Sequence, residues 1–211
     1  MTPEAAARDL PLPDEELDDL RARYGAKGRH YHDWSHIEAL FAQADGVKWH
    51  DREAVHLALL YHDVIYRPGR SDNEEESARL MEARLKGRAA PGRLAFAGDL
   101  IRWTATHAVP DGLEPERLAD AVHMLDIDMG ILGAPRKAYE RYAGNVRREF
   151  RRIPAPIYRR GRAKVLAEFL KRPRLYLSER FHAELDAAAR DNIRWELGHA
   201  LGRAGRRALG P

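Results

Sequence analysis

Two side chains with metal-binding lone pairs close the most apolar run in the chain. Leu57-Ala58-Leu59-Leu60-Tyr61 is followed at once by His62 and Asp63. Burying an imidazole and a carboxylate without partners is costly. A divalent cation would be such a partner, since both groups can donate to it. Adjacent residues on a helix point about 100° apart. His62 and Asp63 therefore reach one ion only over a helix end, and Ile65-Tyr66-Arg67-Pro68 predicts an end there.

Further donors are His32, His36, His56, His107, His123, Asp126 and Asp128. Imidazole nitrogens combined with carboxylate oxygens suit Mn, Fe, Co, Ni or Zn, whereas calcium and magnesium take mostly oxygen. His32 and His36 are four apart and would share a face on one continuous helix. Asp33 and Ser35 compete as helix caps between them, so only His36 is firmly helical. Asp126 and Asp128 lie equally far from an apolar stripe of Leu118, Ala121, Val122, Leu125 and Met129, so periodicity leaves both open. The helix macrodipole disfavours acids at that helix's C-terminus, which calls for compensation such as a metal. Singly, a histidine at a helix edge reads as surface or satisfied core, and His30, His50, His56, His123, His182 and His199 are read so.

The elements that would position these groups are helices. No alternating β-branched run and no hairpin turn between apolar runs occurs. The pattern predicts an all-α fold of roughly eight to nine helices. The first opens at Asp14-Glu15-Glu16. The second is capped by Asp33 or Ser35 and buries Ile37, Leu40, Phe41 and Ala44. The third is capped by Asp51 and is apolar over most of its circumference, as a buried helix must be. Later helices follow Ser71-Asp72, Pro91-Gly92 and Glu116. Pro154 and Pro156 interrupt the stretch after Arg152, with a helix resuming at Arg159, and Ser178 caps the last. One domain over residues 1–200 and a flexible basic tail over 201–211 are expected.

Composition narrows the function classes. The chain has 211 residues, no cysteine and a net charge of +3. Disulfides, thiolate zinc sites and cysteine nucleophiles are excluded. No apolar run approaches the roughly 18 residues of a membrane span, and the acidic start lacks the features of a signal peptide. A cytoplasmic protein without membrane partners is expected. Residues 1–110 carry 15 Lys/Arg and 19 Asp/Glu, and residues 111–211 carry 21 and 14. The basic half reads as arginine-rich helix surface, so nucleic acid is not an expected partner.

The motifs occur in a telling order. Arg29-x-Tyr31-His32-x-x-x-His36-Ile37 comes first, then His62-Asp63-x-x-Tyr66, then Asp72-Asn73-Glu74-x-x-Ser77-Ala78. Thr104-x-x-His107 and Asp126-x-Asp128-x-x-Ile131-Leu132-Gly133 follow, with Tyr139-x-x-Tyr142, Arg147-x-Glu149, Gly161-Arg162 and Asn192 later. Over residues 20–198 this series resembles the HD superfamily of metal-dependent phosphohydrolases, in particular a small bacterial-type group. The resemblance implies a single HD-type helical domain with His36, His62 and Asp63 as metal ligands. It places the last ligand on Asp128, with Asp126 as the alternate. It also implies hydrolysis of a phosphomonoester or phosphodiester in a small phosphorylated compound, a nucleotide being one candidate, and leaves a homodimer open. No extra histidines follow His-Asp, which favours one metal, while His107 leaves a second site open. In such a site Asp63 would hold the attacking water, Glu74 would serve as general base, and His107 as general acid or support. His32, Arg147 and Arg162 would contact phosphate, guanidinium being suited to bidentate contacts. The competing expectation is a metal-bearing nucleotide sensor without turnover.

Overall fold

The computed structural model describes residues 1–209, and the chain over them is all-α. It divides into two compact units, Met1–Asp128 and a second from Met129 onward. The first unit holds α1 (Pro3–Ala7), α2 (Glu16–Tyr24), α3 (Trp34–Ala44), α4 (Arg52–Tyr61), α5 (Asn73–Leu85), α6 (Pro91–Thr104) and α7 (Pro115–Asp128). The second opens with a 3₁₀ turn, Met129–Gly133. It continues through α8 (Arg136–Glu149), α9 (Ala155–Lys171), α10 (Glu179–Trp195), a π-helical turn Glu196–Ala200, and α11 (Arg203–Leu209). No described helix is long and apolar enough to cross a membrane.

α4 is the centre of the first unit. Every residue from Ala54 to Tyr61 is buried, and the helix packs against α3, α5, α6 and α7. Its start is fixed by Asp51, whose carboxylate accepts from the Ala54 N–H at 3.1 Å. Asp120 of α7 accepts from the His50 and Asp51 N–H groups at 2.9 and 2.7 Å, and is itself buried. Near its C-terminus, Tyr61 donates its hydroxyl to Glu16 at 2.5 Å, and Arg84 binds Glu16 and Asp19 at 2.8 and 2.6 Å. This network ties α2 and α5 to α4. Leaving the buried Glu16 without these donors would cost several kcal/mol, on the order of 3–5.

In the second unit the corresponding anchor is Glu196 in the π turn. It accepts from the Tyr139 hydroxyl at 2.6 Å and from Arg162 at 3.0 and 3.1 Å. Asn192 donates to the carbonyls of Leu132 and Ala134, both at 2.8 Å, fastening α10 to the 3₁₀ turn. α11 comes so close to the π turn that a Cβ on Gly205 would lie 1.8 Å from the Leu197 carbonyl oxygen. Only glycine fits there.

Three expectations change. The helix expected to resume at Arg159 begins at Ala155, with Pro156 in its first turn, where proline is tolerated because no N–H is needed. The stretch read as a frayed tail forms α11 over residues 203–209, and residues 210–211 lie outside the described residues. The apolar stripe of α7 is also displaced. Leu118 is 42% exposed, whereas Asp120, Met124 and Ile127 are buried. A carboxylate that accepts two backbone N–H groups can take a core position that a leucine does not.

His56 gives this core a pH dependence. It is buried in α4 edge-on to Phe41, and its Nε2 has no hydrogen-bond partner among the described residues. Burial, reinforced by Arg52, lowers its pKa from 6.5 to about 4. The unfolded chain therefore binds the proton first as pH falls. The contribution is full above about pH 6.5 and is lost as pH drops toward 4, roughly 3 kcal/mol in all. In chemical denaturation series from pH 7 to 4, His56→Met is expected to show an acid-side loss smaller by about that amount.

Candidate metal centre

Four chain segments bring donor atoms together in the first unit. His36 lies in the first turn of α3, whose start is set by Asp33 accepting from the Ser35 N–H at 3.0 Å. α4 ends at Tyr61, with His62 as its C-cap and Asp63 just beyond. Asp128 is the last residue of α7. His107 follows α6.

The geometry is that of a polydentate pocket. His36 Nε2 and His62 Nε2 are 3.2 Å apart. Asp128 Oδ1 lies 3.4 and 3.6 Å from them, and Asp63 Oδ2 lies 3.8 and 3.0 Å from them. A tetrahedral ion with bonds of about 2.0–2.1 Å sets its ligand atoms about 3.3–3.4 Å apart. The observed spacings bracket that value. The imidazoles form the floor, their side chains 3% and 2% exposed, and the carboxylates form the rim, at 14% and 13%. Among the described residues, His36, His62 and Asp128 have ligand atoms that all lie within 4.8 Å of one another.

The tautomer of His62 is set from behind. Its Nδ1 donates to the Leu59 carbonyl at 3.1 Å, which in the neutral ring leaves the Nε2 lone pair facing the cluster. Electrostatics favour a cation at this point. Burial pushes the His62 imidazole down, but the Asp63 and Asp128 carboxylates outweigh it and raise its pKa to about 9. Burial raises both carboxyls, yet His62 and His32 hold Asp63 ionised, and His107 and His36 hold Asp128 well below the usual range. The group of His36, His62 and Asp128 could hold a metal ion, with Asp63 Oδ2 beside it at 3.0 Å from His62 Nε2.

The backbone beneath the cluster is braced by residues whose role the sequence did not reveal. Arg29 donates to the carbonyls of His32, Asp63 and Val64 at 2.8, 2.8 and 2.9 Å. Tyr24 donates to the Leu60 carbonyl at 2.9 Å. Asn73 pairs with both the N–H and the C=O of Arg67, and Ser77 does the same for Ile65, so the start of α5 holds the segment after Asp63. Arg29, Asn73 and Ser77 stand in the motif series, and the last two are four apart and so share a helix face, but neither signal says what they hold.

The remaining predicted residues separate into three groups. His32 lies beside the cluster, its ring 4.2 Å from that of Tyr66. Asp126 is buried two residues before Asp128, about 200° around the helix, and is not among the three grouped ligands. Glu74 is half-exposed in the first turn of α5 and has no ion pair or hydrogen bond among the described residues. Arg147 and Arg162, expected at phosphate, serve local structure in the second unit. Arg147 donates to the Phe150 and Ile153 carbonyls at the end of α8, and Arg162 is committed to Glu196 and Tyr142. A guanidinium already used by a buried carboxylate has few donors left for a ligand.

No family model, curated protein or solved structure matches the chain, so the reading of the site rests on its geometry.

His107 supplies the test of how the site is held. It has φ +47°, the conformation that glycine usually takes after a helix end. A non-glycine residue there costs about 1–2 kcal/mol. In return its Nε2 bonds Asp128 Oδ2 at 2.9 Å, leaving Oδ1 directed at the histidines. His107→Gly is expected to keep or slightly raise thermal stability while weakening metal binding about 10–100-fold, as loss of a supporting hydrogen bond does. Calorimetric metal titration beside a thermal melt reads both.

Proposed function

We propose that this chain is a metal-dependent phosphohydrolase of the HD type, acting on a small phosphorylated compound such as a nucleotide. The observation that carries the reading is the convergence of His36, His62 and Asp128 on one point, with the Asp63 carboxylate beside them and both carboxylates at the solvent-facing rim. The order of the motifs in the chain supports it. The group that His36, His62, Asp63 and Asp128 would hold is a divalent Mn, Fe, Co, Ni or Zn ion, which lowers the pKa of water and polarises a phosphoryl oxygen.

The chain's own residues divide the remaining work. Asp63 uses one carboxylate oxygen in the cluster and has the other to orient a water. Glu74, with no partner claiming its carboxylate, accepts the proton. His32 stands at the cluster beside Tyr66 and contacts the phosphate. His107 fixes the orientation of Asp128. Recognition of phosphate falls to the first unit, because Arg147 and Arg162 are engaged elsewhere.

The experiment joins metal analysis to a phosphatase screen. Protein purified without chelator is expected to carry about one transition ion per chain, as a four-donor site implies. His62→Ala and Asp63→Ala are expected to lose it, with phosphate release from nucleotides or sugar phosphates falling roughly a hundredfold or more. Full metal occupancy in both variants would overturn the site. Metal lost in the variants, with no phosphate released by the wild type from any compound, would identify a nucleotide sensor.

A further inference from the structure

The two units carry opposite charge. Residues 1–128 hold 16 Lys/Arg and 25 Asp/Glu, net −9, and residues 129–211 hold 20 and 8, net +12. Part of the second unit's excess is used internally, as in Arg162 with Glu196 and Arg190 with Asp186. Part of the remainder gathers in one groove. Arg159, Arg160, Lys164 and Lys171 of α9 and Arg207 of α11 line a concavity of about 670 Å³. Its one acid is Glu168, which Lys171 holds at 2.8 Å. Arg159, Arg160 and Arg207 have no ion pair among the described residues. In sequence these cations read as scattered surface charge; the packing of α11 against α9 puts them in one channel.

The shape of the channel selects its occupant. At about 1.5 Å rise per residue, Arg160, Lys164 and Lys171 are strung along about 16 Å of helix. A single phosphate needs cations that converge, whereas a row matches a chain that repeats its charge. The floor is alanine, including Ala163 and Ala204, with no aromatic ring on which a base could stack. Recognition would therefore be of the backbone and blind to sequence. The exposed apolar residues Ile157 and Val165 also lie on α9, outside the groove lining, and a flat bilayer cannot follow cations into a concavity.

We propose that the α9–α11 groove binds the sugar-phosphate backbone of single-stranded nucleic acid without sequence preference. The inference uses no residue of the metal centre and stands whether or not the chain is a hydrolase.

Fluorescence anisotropy with labelled single strands of about 12 nucleotides, within the usual site size for such grooves, tests it. With the four cations that Glu168 does not hold engaged, the log–log salt dependence is expected to have a slope near −2.8, about 0.7 per phosphate neutralised. Arg160→Gln/Lys164→Gln is expected to weaken binding more than about tenfold and to make the slope shallower by about 1.4. Circular dichroism checks that this exposed pair leaves the fold intact. Lys137→Gln/Arg141→Gln on α8 removes the same charge from another exposed face and is expected to change affinity less than about threefold, the effect of net charge alone. His62→Ala is expected to bind as the wild type does. The proposal is overturned by absence of binding at low salt, by equal losses in the two double variants, or by duplex DNA or anionic phosphatidylserine vesicles competing as well as the single strand.

Discussion

The last turn of a buried helix leaves four carbonyls without intrahelical partners, and in a dry core each must find a donor. At the end of α4 each finds one. The Ala58 carbonyl takes the His62 N–H, Leu59 takes the His62 ring, Leu60 takes the Tyr24 hydroxyl, and Tyr61 takes the Val64 N–H. Just beyond, Arg29 covers the carbonyls of Asp63 and Val64. Most of the candidate centre follows from this. The His62 ring is turned by the same bond that satisfies Leu59, and Arg29 joins the His32 loop to the end of α4. The groups that complete the helix are also the groups that aim the ligands.

Much of this was legible in the sequence because it depends on local rules. An apolar run ending in His-Asp marks a buried helix with a polar terminus, and Asp33 ahead of His36 marks where α3 begins. The choice between Asp126 and Asp128 was not legible, and the reason is specific. The stripe used to orient α7 assumed that leucine points inward and aspartate outward. Leu118 is exposed, and Asp120 is buried because it accepts two N–H groups from the start of α4. A helix wheel cannot anticipate a bond formed across about seventy residues, so the reference direction taken for α7 was displaced. The conformation of His107 is hidden for a similar reason: a positive φ at a histidine is tolerated only because Asp128 is there to receive its ring.

The second unit was read less well. Its charges look like free ligands for phosphate when seen one at a time. Arg162 is instead the counterion of a buried glutamate held in a π turn, an irregular helix that no period-3.6 pattern reveals. The break at Pro154 is there, but Pro156 already lies in the first turn of α9. α11 is alanine- and arginine-rich with little apolar content, and its position depends on the contact between Gly205 and Leu197. Sequence patterns report what a helix would bury alone. They do not report which helices approach closely enough for one side chain to be forbidden.

The depth order of the donor groups has a kinetic consequence. A hydrated ion approaching the cluster meets Asp63 and Asp128 first, since their side chains are the more exposed, and the imidazoles of His36 and His62 only afterwards. Its water shell would then be exchanged first for oxygen, which any hard divalent cation accepts, and afterwards for nitrogen. Magnesium, abundant and reluctant to dehydrate, would be halted at the first stage, while a borderline metal proceeds to the second. Were the cluster to hold an ion, discrimination would lie in the inner step of capture, and release would be governed by how slowly the two buried rings let go.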